Sequence, residues 1–179
     1  MALQMIFCVE TNKNADTDSV YLSETIISYY MTPNQVKISK IYMGTKSKYN
    51  SPKVLKEIEK KKRAFTIGET KVIYCIDTDD YESNYDHKKE FDKICLFCKE
   101  NGYELIWFCH DVEDVFWRER VSDSQKVSKA ADFRRQKKIQ EVLLSKLSSK
   151  SLKNQSSNIM QVLDKYLDRK AIESNNKDS

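Results

Sequence analysis

Four apolar runs limit what this chain can fold into: Leu3 to Val9, Val36 to Met43, Val72 to Ile76 and Tyr103 to Cys109. The first, third and fourth are almost continuously apolar, the pattern of strands buried on both faces of a parallel sheet. Helical spacing fills the gaps between them. Asp18 or Ser19 can cap a helix carrying Val20, Leu22, Ile26, Ile27 and Tyr30 that stops before Pro33. Ser51-Pro52 opens a second helix with Val54, Leu55 and Ile58 inward, and Asp86 precedes a third with Phe91, Ile94, Cys95 and Cys98 inward. Asn101-Gly102 supplies that helix with a left-handed stop. The order is βαβαβαβ: an α/β fold with a mainly parallel four-stranded sheet flanked by helices, whose binding crevice lies at the carboxyl ends of the strands.

Beyond Trp117 no further strand is evident. Val121 to Leu147 and Ile159 to Ile172 read as helices separated by a serine-rich polar stretch. The 179 residues thus divide into an α/β domain over 1–117, a basic helical extension over 118–173 and a frayed tail over 174–179. Residues 1–117 hold 16 Lys and Arg against 19 Asp and Glu, and the remainder holds 15 against 8, so the overall +4 conceals a basic C-terminal part suited to a polyanionic partner. The apolar positions of the extension, Val142, Leu143 and Leu147 and then Ile159, Val162, Leu163, Tyr166 and Leu167, are expected to pack on the sheet domain or to pair as a hairpin, with a homodimer surface as the other use for them.

The N-terminal segment lacks the basic start and small-residue cleavage site of a signal peptide, and no apolar run reaches membrane-spanning length, so the expected location is the cytoplasm, with no membrane partner. Five scattered cysteines argue for free thiols rather than a disulfide framework, and Cys95-Leu-Phe-Cys98 lacks the second ligand pair that a structural zinc site needs.

Acid gathers where the strands end. Glu10 directly continues the first apolar run, Asp77-Thr78-Asp79-Asp80 ends the third, and His110-Asp111-Val112-Glu113-Asp114 follows the fourth. Strand alternation predicts that Asp77 and Asp79 face similar sides, and neighbouring parallel strands lie about 4.8 Å apart, so such carboxylates can share one divalent cation. Oxygen donors with few imidazoles select Mg²⁺ or Mn²⁺. Asp18, Asp80 and Asp86 read more simply as helix caps and turn residues, and His87 as an exposed helix-start residue. No nucleophile elbow and no glycine-rich phosphate loop is present, since the only glycines are Gly44, Gly68 and Gly102.

A Glu after the first strand and an Asp-x-Asp after the third, in a small βαβαβαβ unit, resemble the Toprim domain of topoisomerases, primases, OLD-family nucleases and recombination proteins. Within that superfamily the chain is most similar to RloB-like proteins associated with restriction and phage-defence loci, on the polar loop and Val20-Tyr21-Leu22 after Glu10 and on Glu113-Asp114-Val115-Phe116-Trp117 after the fourth strand. The resemblance spans roughly residues 3–117. It implies Glu10 as general acid or base, Asp77 and Asp79 with Glu10 as Mg²⁺ ligands, Glu113 as an auxiliary acid, and a partner protein from the same defence locus. Two positions depart from the pattern: Thr11 stands where the family glutamate is followed by Gly, and Tyr81 where a third acid would fall.

Cations for a nucleic acid are expected at the same edge. Lys46 and Lys48 follow the second strand, and Arg118, Arg120, Lys126, Lys129, Arg134, Arg135, Lys137 and Lys138 follow the fourth-strand acids, with Arg134 and Lys138 on one helical face. The expected function is a Mg²⁺-dependent nuclease acting on DNA or RNA. Two alternatives stay open: a non-catalytic Toprim-like module that binds nucleic acid or a protein, and, less favoured, a receiver-like phosphoacceptor domain.

Overall fold

Strands β1 (Ala2–Val9), β2 (Val36–Tyr42), β3 (Gly68–Asp77) and β4 (Glu104–Phe108) form a single all-parallel sheet in the order β2-β1-β3-β4. The computed structural model describes residues 2–171. The last helix, expected over Ile159 to Ile172, stops at Leu163 and gives way to turns; Ile172 and the tail over 174–179 lie outside the described residues.

The central strands have two buried faces, which explains their unbroken apolar character. In β1, Met5, Phe7 and Val9 enter one core layer while Ile6 and Cys8 enter the other. Edge strand β2 is half-exposed and accordingly carries Lys37, Ser39 and Lys40. Helix α1 (Asp18–Tyr29) covers the first layer. Helices α2 (Pro52–Arg63) and α3 (Tyr85–Glu100) cover the second, through Val54, Ile58, Phe91, Ile94 and Cys98. Ser51 caps α2 by accepting from the Val54 amide, and Gly102, at φ 65°, follows α3 in the left-handed region. Two expected caps are replaced. Thr17 precedes α1 without a side-chain capping bond, and Asn84, rather than Asp86, caps α3 by accepting from the amides of Asp86 and His87.

From β1 the chain moves through α1 to β2 on one side, then crosses back through α2 to β3 on the other. The direction of winding therefore reverses between β1 and β3, which is where a crevice opens at the carboxyl edge of a sheet of this kind.

The extension packs on the first layer and completes it. Short helices α4 (Val112–Trp117), α5 (Lys126–Arg135), α6 (Leu144–Leu147) and α7 (Ile159–Leu163) contribute Val115, Phe116, Phe133, Leu147, Ile159 and Leu163 to the same core as Phe7 and Phe108. Phe133 meets Tyr21, Phe116 and Trp117 at ring distances of 4.9, 5.6 and 5.9 Å. The single helix expected over Val121 to Leu147 is instead broken, with Lys137 in the left-handed region at φ 53°. Its buried positions, Ala130, Phe133, Ile139, Val142 and Leu147, are spaced too irregularly for one helical face, so the chain must be re-aimed to bury them all. Arg134 and Lys138 consequently do not share a helix face. The cysteines are free thiols; all but the partly buried Cys95 are buried. Among the described residues, no helix is long and apolar enough to cross a membrane.

Candidate metal centre

Glu10 leaves the carboxyl end of β1 and turns across to β3, where its Oε1 accepts the backbone N–H of Asp77 at 2.7 Å. These two acids meet at the point where the winding reverses. Asp18, the first residue of α1, stands beside them: its charge raises the carboxyls of both Glu10 and Asp77. From the other side come Asp111 and Glu113, at the start of α4 and also within electrostatic reach of Asp77. Asp111 Oδ1 accepts from the Asp114 amide at 2.7 Å to cap α4, which fixes the entry of that helix.

Loss of water dominates the electrostatics of this group. Burial pushes the Glu10 carboxyl up from 4.5 to about 8, against the lowering effects of the Asp77 amide and Lys46. Burial likewise raises Asp18 from 3.8 to about 6, opposed by the Thr11 and Glu10 amides and by Lys126. Asp77 lies well above the ordinary carboxylate range, from burial first and then from the charge of Glu10. Glu113 is fully buried, neither of its oxygens accepts a hydrogen bond, and burial raises it from 4.5 to about 7. Carboxylates raised together, by burial first and by one another's charge second, mark a candidate functional site.

Asp79 leaves the strand path, although its charge also reaches Glu10. Strand alternation stops at Asp77, and Asp79 takes a left-handed conformation, φ 49°, in an isolated antiparallel bridge with His110, itself at φ 63°. Its N–H donates to the His110 carbonyl at 2.8 Å, while Thr78 Oγ1 accepts the His110 N–H at 3.0 Å. The Asp79 carboxylate forms an ion pair with Lys46, whose ammonium also donates to the Asp77 carbonyl at 3.0 Å. Of the expected set, Glu10 and Asp77 meet, Asp79 lies within electrostatic reach of Glu10 while paired with Lys46, and Asp18 is an added neighbour. Among the described residues, no three His, Cys, Asp or Glu side chains are already drawn together closely enough to hold a metal ion. The donor chemistry nevertheless fits a hard divalent cation, since the group offers carboxylate oxygens alone.

The expected phosphate contacts fare unevenly. Lys46 is buried in its pair with Asp79, and Lys48 is exposed. Arg120 stands at the mouth of a cleft of about 310 Å³ lined by Asp79, Asp80, His87, His110 and Asp111, with its guanidinium 3.5 Å from Asp80 and 3.4 Å from His110 Nδ1. Most of the rest of the cationic run is answered locally. Arg134 donates to Glu24 at 2.8 Å, Arg135 to Asp132 at 2.6 Å, Lys138 to Glu141 at 2.8 Å, and Arg118 to the Glu141 carbonyl at 3.4 Å. Lys126 faces inward, 3.3 Å from Glu113 and 3.6 Å from Asp111.

The sequence reading missed Asp18 as a member of the group and Lys126 as its counter-ion. The one signal for Asp18 was the polar loop after Glu10, which returns the chain to the strand end from which it left. Comparison of the chain with protein-family models, with curated proteins and with solved structures finds no match.

Proposed function

We propose that this protein is a Mg²⁺- or Mn²⁺-dependent nuclease that hydrolyses phosphodiester bonds of DNA or RNA. The observation that carries this reading is the meeting of Glu10 and Asp77 at the reversal between β1 and β3, with Asp18 beside them and every one of the three carboxyls raised. Glu10, Asp77 and Asp18 would hold the cation, and Asp79 would join on leaving Lys46. A bound ion of this type polarises a phosphoryl oxygen and positions water. Glu113, near neutrality in its proton affinity, is suited to giving or taking a proton. Arg120, at the cleft mouth, and the exposed Lys48 are placed to orient phosphate. The Toprim and RloB-like resemblance supports the same chemistry and adds a cytoplasmic role in restriction or phage defence, with a protein partner from the same locus and a homodimer compatible with it.

A second reading has its own observation. Lys46 and Lys126 already neutralise Asp79 and Glu113, as they would in a non-catalytic module whose acids serve structure while its surface binds nucleic acid or a partner. Incubation of the pure protein with labelled DNA and RNA separates the two. Cleavage that requires Mg²⁺ or Mn²⁺, stops with EDTA and falls at least about a hundredfold in Asp77→Asn is expected of the nuclease. Binding without cleavage favours the module, and cleavage indifferent to EDTA and to both Asp77→Asn and Asp79→Asn overturns the metal assignment.

A further inference from the structure

The acidic crevice already contains a cation of the protein's own. Lys126 is the first residue of α5, where the positive end of a helix disfavours an ammonium group. It is held there by three carboxylates, with Nζ 3.3 Å from Glu113, 3.6 Å from Asp111 and 3.7 Å from Asp123. Each distance exceeds the roughly 2.7–2.9 Å of a close charge-assisted hydrogen bond, so the ammonium is shared among the acids rather than seated on one. Glu113 meanwhile is completely buried and accepts no hydrogen bond at either oxygen. A buried carboxylate in that condition is poorly served by its present partner.

We infer that Lys126 is a resident counter-ion of this crevice and that a divalent cation entering it competes with the Lys126 ammonium for the Glu113 and Asp111 carboxylates. The inference rests on the cation reading above and adds to it the group that sets metal affinity. Withdrawal is sterically open. The lysine side chain has a flexible four-carbon stem, and the connection that precedes it, residues 118–125, is exposed except at Val121. Once the ammonium leaves, Glu113 and Asp111 become free oxygen donors within electrostatic reach of Asp77. The lysine and the metal are then alternative occupants of one electrostatic position.

Two measurements on the full chain test this. Mn²⁺ binding is followed from the electron paramagnetic resonance signal of free Mn²⁺ for the native protein, Lys126→Met and Asp77→Asn. Lys126→Met is expected to bind at least about tenfold more tightly than the native protein, equivalent to ~1.4 kcal/mol, and Asp77→Asn more weakly. In parallel, reductive methylation of the native protein is resolved by mass spectrometry. Saturating Mn²⁺ is expected to speed modification of Lys126 several-fold while leaving the exposed Lys48 unchanged, a readout that does not depend on how any variant folds. Asp77-dependent Mn²⁺ binding with unaltered affinity in Lys126→Met and unaltered Lys126 labelling overturns the competition but leaves the metal site standing. Failure of both the native protein and Lys126→Met to bind Mn²⁺ overturns the metal reading itself, and binding by Lys126→Met alone supports the competition most strongly.

Discussion

Replacing Glu113 with Gln should make the protein more stable relative to the native chain as pH rises. Glu113 is fully buried, and its carboxyl is raised from 4.5 to about 7. Its folded state therefore holds a proton more tightly than its unfolded state. The resulting stabilisation is complete below the unfolded value and is lost as pH climbs through the folded one. With those two values, the native protein loses about 2 kcal/mol at this residue between about pH 5.5 and about pH 8. The amide of the Glu113→Gln variant has no proton to lose in this range, and the neighbouring acids titrate in both proteins, Asp18 and Asp77 being relieved of the Glu113 charge in the variant. The stability difference between variant and native should thus shift by about 2 kcal/mol in favour of the variant over that interval, or about 1 M in urea midpoint for a slope near 2 kcal/mol/M. Urea unfolding monitored through Trp107 and Trp117 fluorescence at the two pH values measures it. A difference that is the same at both pH values would refute the reasoning, because Glu113 would then be ionised throughout, with Lys126 sufficient to hold its charge.

The remaining predictions concern the frame around the site. Phe133→Ala, which removes a fully buried ring packed on Tyr21, Phe116 and Trp117, should cost about 3–5 kcal/mol in chemical unfolding; a loss below about 1 kcal/mol would mean that α5 is not part of the core. Gly68→Ala places a Cβ 1.8 Å from the Ala2 carbonyl oxygen, which should push the start of β1 from β3 and speed amide exchange over the first residues of β1, while Ile73 and Ile76 remain protected. Unchanged exchange at Leu3 would contradict that contact. The cleavage test with Asp77→Asn and the Mn²⁺ competition with Lys126→Met complete the set.

The strands were legible because burial on both faces leaves an apolar signature with no need for context. Val72 to Ile76, the doubly buried stretch of β3, is apolar because polar side chains there would lose water, and the more polar Val36 to Met43 run became the edge strand for the same reason. Glu10 was legible as well, since a carboxylate joined directly to five buried residues has no capping role. The conformation of Asp79 was not legible because period-two alternation holds only while the strand lasts. Its left-handed conformation comes with a bridge to His110, a residue of another strand end, and its carboxylate pairs with Lys46 from a third. Asp18 looked like an ordinary helix-start acid, and nothing local distinguishes such a residue from one facing a crevice. Lys126 read as one of eight surface cations, and only the packing of α5 on α1 turned it inward. The broken extension was hidden by apolar positions that look helical in pairs but not across their full span.

The two faces of the sheet are closed by different parts of the chain. The face beneath α2 and α3 has all its buried positions once residues up to Cys109 are present, whereas the face bearing Phe7, Ile73 and Phe108 is finished by Phe133, Leu147, Ile159 and Leu163. During synthesis, at about 5–20 residues per second, the nascent chain therefore carries a half-covered sheet for several seconds before its final helices emerge. Lys126 arrives in that same late portion, so the acids at the strand ends are assembled before their internal counter-ion. An acidic crevice of this kind can meet cellular cations while the protein is still on the ribosome.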